Sequence, residues 1–478
     1  MVRPGRPAHR GYRMDKLVAL LSYAYQALLA FGSLLVIAHL LTAADYTVYS
    51  LFMATTQLAA IAAFEWIRFS CSRFYPGPDD LSEALQRGTM RREFAAAAAA
   101  CTLVAAISAL VGLVSTALAA LGLVVVLLQG WTDLHLTMLR FRHQFTAFSF
   151  LQGFRATALS IGSVLGALLL HTVEGAACGL AAGYVLISVV AWTTDRTWRA
   201  DGRWDMTTIR QHLHYGTISA GASVIGLVAP LGLRVVLQAA FGSAAAGALL
   251  AIDLLQRPFV LVISAVHGVQ YPVVVRAHDH QDGDFGSQLG RYYALLVTLA
   301  LVTAAGVAAI LPLIAGWLVT DDMRAAFMAS APAVLVVFLA RATTQNVFAT
   351  PAHLLKRMRV IAVLALGDAV LLNTAATIGS ALPGATLASV CLAAAIGSAV
   401  YTISGLATLS ALPFSLVLKP VLPALAAVIA CLAISAATWT PLGALVSMAT
   451  GGALSAISLW WLYAEYRRRR REGFDVAG

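Results

Sequence analysis

Apolar segments of about twenty residues recur along almost the whole 478-residue sequence, and short polar connections separate them. A helix of that length crosses the hydrocarbon layer of a membrane, which is about 30 Å thick. Hydrophobic residues make up 60% of the chain and charged residues only 11%, whereas roughly a quarter of a soluble domain is charged. Because helices satisfy their own backbone hydrogen bonds in lipid, the sequence predicts an all-α polytopic membrane protein.

The apolar segments predict about fourteen transmembrane helices. The first six are expected at 17–41, 46–69, 94–113, 116–139, 148–170 and 175–194. The next six are expected at 214–240, 244–270, 291–313, 325–350, 360–378 and 385–406. Two further helices are expected at 421–439 and 442–463.

A polar stretch between the sixth and seventh spans divides the predicted helices into two lobes. The predicted parts are a cytoplasmic N-terminal tail at 1–16, a six-helix lobe at 17–194, a cytoplasmic linker at 195–213, a second six-helix lobe at 214–408, helices thirteen and fourteen at 419–463, and a basic cytoplasmic tail at 464–478. The expected architecture is therefore two six-helix bundles followed by two C-terminal helices.

The turn after the first span resembles the turn after the seventh, which indicates an internal duplication. Thr42 in the first turn corresponds to Gly242 in the second, and Thr47 corresponds to Gly247. Two pseudo-symmetric bundles in a membrane can rock against each other around a shared cavity, as transporters do. The duplication therefore favours a transport protein.

Basic residues are distributed asymmetrically between the two sides of the predicted membrane. Most of the 32 Lys and Arg residues fall in the two tails and the even-numbered connections, whereas the odd-numbered connections contain only Arg324. Short cytoplasmic connections retain Lys and Arg, so both termini are expected in the cytoplasm. The formal net charge of +10 does not indicate a nucleic-acid partner, because the basic residues alternate with the spans.

Motifs for covalent chemistry are missing from the sequence. It contains no phosphate-binding loop, hydrolase elbow or zinc-protease motif, so neither catalytic residues nor a cofactor are predicted. The stretch 278–284, HDHQDGD, has possible metal ligands in no recognisable frame, and we expect a solvated turn rather than a metal site. The five cysteines stand singly and predict no disulfide framework.

Charged and polar residues inside the predicted spans of the second half are the strongest functional signal, because charge is costly in lipid. A net cationic cavity that binds substrate is predicted from Arg234, Arg257, Arg341 and Gln345. Asp253 and Asp368 are candidates for binding a coupling ion, since a buried carboxylate can exchange a proton. Asp253 and Arg257 are four residues apart and are expected to pair. The alternative is that each arginine is neutralised by an aspartate for structural reasons alone.

A second charged group lies near the cytoplasmic ends of the first-half spans. It consists of Glu65, Arg68, Asp133 and Arg155. Opposite charges at one depth on neighbouring helices suit a cytoplasmic gate that closes by ion pairing. The alternative is that the long side chains simply reach water at the membrane surface.

The hairpins carry a resemblance to a known family. The first half contains LLTAADYTVYS and then FEWIRFSCSRFYP, and the second contains AAFGSAAAGALLAIDLLQRP. These segments resemble the polysaccharide transporter family of lipid-linked oligosaccharide flippases, in the superfamily that also contains the multidrug and toxic-compound extruders. The sequence departs from the family's usual turn at Thr47 and Leu249.

The resemblance implies a multi-pass protein of the bacterial inner membrane. It implies movement of undecaprenyl-diphosphate-linked oligosaccharide to the periplasmic leaflet for exopolysaccharide, capsule or lipopolysaccharide synthesis, without enzymatic chemistry. Membrane lipids, polysaccharide polymerase and chain-length proteins are the expected partners. Arg234 and Arg257 would pair with the diphosphate, because guanidinium groups match phosphate oxygens in a forked geometry. Three alternatives stay open: a drug or cation antiporter, a membrane-embedded polymerase or ligase, and a transport-inactive scaffold.

Overall fold

The computed structural model describes residues 9–74, 80–142, 144–194, 202–279, 284–355, 357–415 and 417–471. Within these residues the chain forms fifteen α-helices and no β-strand, so the predicted all-α fold is confirmed. The chain divides into two compact units, Met1–Leu227 and Val228–Gly478. The predicted lobe boundaries stay a prediction.

The first unit contains six helices and the beginning of a seventh. They are α1 (His9–Leu40), α2 (Ala43–Phe74), α3 (Asp80–Leu110), α4 (Thr116–Phe141), α5 (Phe145–Leu170), α6 (Val173–Thr194) and the first part of α7 (Met206–Phe241). The apolar faces of α2, α3 and α4 meet in one core, where Phe64, Met90 and Leu134 are fully or almost fully buried. This core holds the helices that carry most of the predicted gate residues.

The second unit contains the rest of α7 and seven further long helices. They are α8 (Ala246–Asp279), α9 (Phe285–Leu313), α10 (Asp321–Thr343), α11 (Met358–Ala381), α12 (Leu387–Gly405), α13 (Val421–Ala437) and α14 (Pro441–Arg471). After α10 the chain continues through a π-helical turn, Thr344–Phe348, into a five-residue helix, Thr350–Leu354. The last two helices pack on each other and on α9, and the Ser435 hydroxyl donates a hydrogen bond to the Ala308 carbonyl at 2.8 Å.

The helices have the lengths and the surfaces of membrane spans. Eleven described segments are long and apolar enough to cross a membrane, and one of them, Met206–Ile263, contains most of both α7 and α8. Two shorter apolar helices, Tyr25–Leu40 and Val421–Ala437, complete the set. The predicted number of spans therefore agrees approximately. Large apolar side chains such as Leu103, Val104 and Ile107 are exposed on α3, as expected for a surface that faces acyl chains.

Glycines bring α5 and α6 into direct backbone contact. A Cβ atom added at Gly179 would lie 1.9 Å from the Gly162 carbonyl oxygen, and one added at Gly166 would lie 2.1 Å from the Gly175 carbonyl oxygen. Small residues drive helix association in membranes, because lipid provides no hydrophobic force between helices and close packing must replace it. The α5–α6 pair is therefore closely packed.

Candidate functional site

Arg234 and Asp253 form an ion pair between α7 and α8 in the second unit. The Arg234 Nη2 atom donates to Asp253 Oδ1 at 2.7 Å, and Arg234 Nη1 donates to the Pro230 carbonyl at 3.0 Å. The two side chains are only 7% and 12% exposed, so little water reaches the pair. The Asp253 carboxylate on α8 therefore pairs with an arginine on α7.

Arg257 was expected to pair with the Asp253 side chain, but in the structure it contacts the Asp253 backbone instead. Its Nε atom donates to the Asp253 backbone carbonyl at 3.1 Å. Among the described residues no carboxylate forms a salt bridge with Arg257, and its side chain is half-buried. Arg257 therefore supplies a positive charge that the local acids do not neutralise.

A second ion pair joins α10 and α11. Arg341 Nη1 donates to Asp368 Oδ2, and the two side chains are only 6% and 2% exposed. The two ion pairs both lie in the second unit, one between α7 and α8 and the other between α10 and α11, and α8 packs against α10. Their four residues, Arg234, Asp253, Arg341 and Asp368, are called the charged cluster below.

Gln345 lies in the π-helical turn that follows α10, and its side chain is exposed. Turns of this kind are frequent at functional sites, because the extra residue frees a backbone group and redirects side chains. Gln345 is close in sequence to Arg341, but within the described chain no hydrogen bond joins it to the charged cluster. Its predicted part in substrate binding stays a prediction.

The predicted gate residues come together in the first unit. Glu65 pairs with Arg68 on α2, and Asp133 on α4 pairs with Arg155 on α5. The Arg155 guanidinium also lies 5.7 Å from the centre of the Tyr184 ring on α6. A small pocket lies between α2 and α4, lined by Ala60, Ile61, Phe64, Glu65, Arg68, Gly130, Asp133 and Leu134.

The α2–α4 approach at this pocket depends on a glycine. A Cβ atom added at Gly130 would lie 2.2 Å from the ring of Phe64, so a side chain there would displace this ring or push the two helices apart. Two carboxylates and one guanidinium line a small pocket beside this tight helix contact. A separation of α2 from α4 would change the opening of the pocket, whereas the ion pairs lie within α2 and between α4 and α5.

Sequence reasoning missed two charged groups at the expected cytoplasmic side of the first unit. Glu93 and His212 form a buried pair at 2.9 Å. Glu83 pairs with Arg142 and, at 3.2 Å, with Arg87. These residues lie in or beside connections that are expected in the cytoplasm, where basic residues serve as a topology signal. Glu93 and His212, like Glu83 and Arg142, are far apart in sequence, whereas Glu83 and Arg87 are four residues apart on α3.

Metal ligands do not gather anywhere in the described ranges, where no group of three or more His, Cys, Asp and Glu residues is placed to hold an ion. Most of the expected solvated turn at 278–284 lies outside these ranges, because residues 280–283 are not described. His278 and Asp279 lie 3.5 Å apart and are partly exposed.

The long apolar helices of the two units define a polytopic membrane protein. The fold matches a lipid II flippase, MurJ, in an inward closed conformation, with a TM-score of 0.69 and 12% identity over 94% of this chain and 99% of that chain. It also matches an inward-facing multidrug resistance MATE family transporter of the MOP superfamily, with a TM-score of 0.65 and 14% identity over 81% and 95% of the two chains. A Vibrio cholerae MATE transporter matches with a TM-score of 0.57 and 13% identity over 83% and 95%.

The sequence itself matches one family profile. Residues 94–322 match the family described as "Polysaccharide biosynthesis protein", and this range includes the hairpin at 239–258. No curated protein matches the sequence. The family match and the shared fold together confirm the resemblance to the polysaccharide transporters of this superfamily. The matched structures are flippases and transporters, and at this identity they establish the fold alone.

Proposed function

We propose that this protein is a flippase that moves lipid-linked oligosaccharide, carried on undecaprenyl diphosphate, across the bacterial inner membrane. The observation that carries the proposal is the combination of two matches: the polysaccharide-biosynthesis family over 94–322, and the MurJ fold over 94% of the chain. The product would serve exopolysaccharide, capsule or lipopolysaccharide synthesis, and polymerase and chain-length proteins would receive it. In this proposal both termini are cytoplasmic.

Binding of the diphosphate is assigned to the arginines of the second unit. Arg257 is the primary contact, because its charge is not neutralised by a described carboxylate and its side chain is half-buried. Arg234 and Arg341 would join it when the substrate enters, with Gln345 available for a sugar hydroxyl. A guanidinium binds two phosphate oxygens at once, which makes the contact both strong and directional.

The two aspartates give this site a route to ion coupling. Asp253 and Asp368 each hold an arginine in an ion pair, so that the cluster as a whole carries no net charge. A proton or cation that neutralised either carboxylate would release its arginine for the diphosphate. Conversely, loss of that proton would draw the arginine back and weaken the hold on the substrate. This exchange would link substrate release to a gradient.

Opening on the cytoplasmic side is assigned to the gate residues of the first unit. The Asp133–Arg155 pair joins α4 to α5, and the Glu65–Arg68 pair faces the same pocket as Asp133. Breaking the Asp133–Arg155 pair would let α4 and α5 separate, and reforming it would close the cytoplasmic entrance to the substrate. The sugar would then cross in a hydrated cavity, which avoids placing its hydroxyls in hydrocarbon.

Deletion of the gene in its native host tests the proposal. We expect lipid-linked oligosaccharide to accumulate in the cytoplasmic leaflet and surface polysaccharide to be lost. Wild-type protein should restore transport, Arg257→Ala should not, and Arg276→Ala, which changes an exposed arginine at the end of the same helix, should restore it. Normal surface polysaccharide in the deletion strain would contradict the proposal.

The second candidate is a drug or cation antiporter, which the MATE fold supports. An extruder of cations would expel a cationic dye such as ethidium from cells against a gradient, and its cavity would favour acidic residues over arginines. The same deletion strain separates the two functions. Raised dye accumulation with unchanged lipid-linked oligosaccharide would favour the antiporter.

A further inference from the structure

The chain that enters α7 is bound backbone to backbone to α3. The Arg203 N–H donates to the Ala84 carbonyl at 3.0 Å. A Cβ atom added at Gly88 would lie 1.8 Å from the Arg203 carbonyl oxygen, and one added at Gly202 would lie 2.8 Å from the Gly88 Cα. Real side chains do not approach so closely, so this contact requires glycine at both places.

The contact continues into the first turns of α7. The Arg92 guanidinium lies 4.1 Å from the centre of the Trp204 ring, within the range of a cation–π interaction. His212 Nδ1 lies 2.9 Å from Glu93 Oε1, with both side chains almost completely buried. A buried polar group that loses its hydrogen-bond partner is costly, so this pair holds α7 against α3.

The same part of α7 is also bound to α2. The Ser70 hydroxyl donates to the His212 carbonyl at 2.9 Å, and the Phe74 ring stacks on the His212 imidazole. A Cβ atom added at Gly216 would lie 2.2 Å from the Trp66 carbonyl oxygen. Residues 202–216 are therefore attached to two helices of the first unit by backbone contacts, ring contacts and side-chain hydrogen bonds.

The second unit contains the same arrangement, formed by different residues. The Ser415 N–H donates to the Gly286 carbonyl at 3.0 Å, and a Cβ atom added at Gly290 would lie 1.9 Å from the Ser415 carbonyl oxygen. Phe414 lies edge-on to Tyr293, with ring centres 5.3 Å apart. In each half the connection after the sixth helix binds a pair of small residues, four apart, near the start of the third helix.

We propose that residues 202–216 are a clasp, which fixes the cytoplasmic half of α7 to α2 and α3 and is locked by the Glu93–His212 pair. From residue 202 onward the predicted linker is then attached to the first unit, and α7 as far as Gly216 moves as part of that unit. Bending of α7 is confined to residues after Gly216. The corresponding contact in the second unit agrees with the internal duplication that the sequence indicates. The proposal does not depend on what the protein transports.

Hydrogen–deuterium exchange on the full-length protein in lipid nanodiscs tests the clasp. Gly88→Ala should speed exchange of the amides in 202–213 by about tenfold or more, because local opening becomes easier. Gly153→Ala is the matched control, since a Cβ atom there meets nothing within 4 Å. Gly290→Ala should speed exchange around Ser415 and leave 202–213 unchanged.

A second variant keeps the test decisive if Gly88→Ala does not fold. Glu93→Gln should speed exchange in the first turns of α7, whereas Glu174→Gln, at the start of α6, should not. Rapid exchange of 202–213 in the unaltered protein, or unchanged exchange in the Glu93→Gln variant, would overturn the proposal.

Discussion

Replacing Asp368 by asparagine removes the carboxylate that neutralises Arg341 inside the second unit. The Arg341 side chain is 6% exposed and that of Asp368 is 2% exposed, so water cannot compensate the charge left behind. Breaking a buried ion pair by removing one partner costs about 3–5 kcal/mol.

Removing both charges together should cost much less. Apolar residues of similar volume can replace a buried pair with little or no loss, because the desolvation penalty of both ions disappears with their attraction. We therefore expect the free energy of unfolding of the double variant, Arg341→Met with Asp368→Leu, to differ from that of the unaltered protein by no more than about 1 kcal/mol. The free energy of unfolding of the purified protein in detergent, with all four members of the double-mutant cycle, measures this difference.

Transport by the folded double variant then separates the two interpretations of the pair. If the pair is structural, the double variant folds and transports. If Arg341 or Asp368 takes part in binding or coupling, the double variant folds and does not transport. A single Asp368→Asn variant with unchanged stability would refute the reasoning, because it would mean that water reaches Arg341.

Three further predictions follow from the same geometry. Arg257→Lys should keep the charge but lose the forked contact, and we expect a transport rate about tenfold below wild type with unchanged folding, measured by flipping of lipid-linked oligosaccharide in inverted vesicles. Glu65→Gln with Asp133→Asn should impair closure on the cytoplasmic side, seen as greater labelling of pocket cysteines by a membrane-impermeant thiol reagent; unchanged labelling and transport would contradict the gate. Gly179→Val should lower the free energy of unfolding by about 2 kcal/mol or more, because α5 and α6 must separate to make room for the side chain. Gly452→Val is the control, since a side chain there meets no other atom and changes stability only through the helix propensity of valine. Thermal unfolding of the two variants measures the difference.

The fourteen predicted spans each correspond to a long helix, because hydrophobicity and helix length are local properties. The four residues predicted to form a gate lie close together in the structure. Three of them line one pocket, and the fourth pairs with Asp133. Their part in a gate stays a prediction.

The partners of the charged residues were less predictable. An arginine side chain reaches several neighbours, so the spacing of Asp253 and Arg257 permits a pair without requiring one. In the structure Arg234 on α7 donates to the Asp253 carboxylate, whereas Arg257 donates to the Asp253 backbone carbonyl. Glu93 and His212 gave no signal because they are more than a hundred residues apart in sequence.

The amino-acid sequence alone determined that the chain spans a membrane many times, where the spans lie and which of them carry charge, because each follows from the composition of about twenty consecutive residues. Only the tertiary structure decided which aspartate neutralises which arginine and how the entry to α7 is attached to α3. Those contacts depend on the rotation and separation of packed helices, and a single glycine such as Gly88 determines whether two backbones can meet.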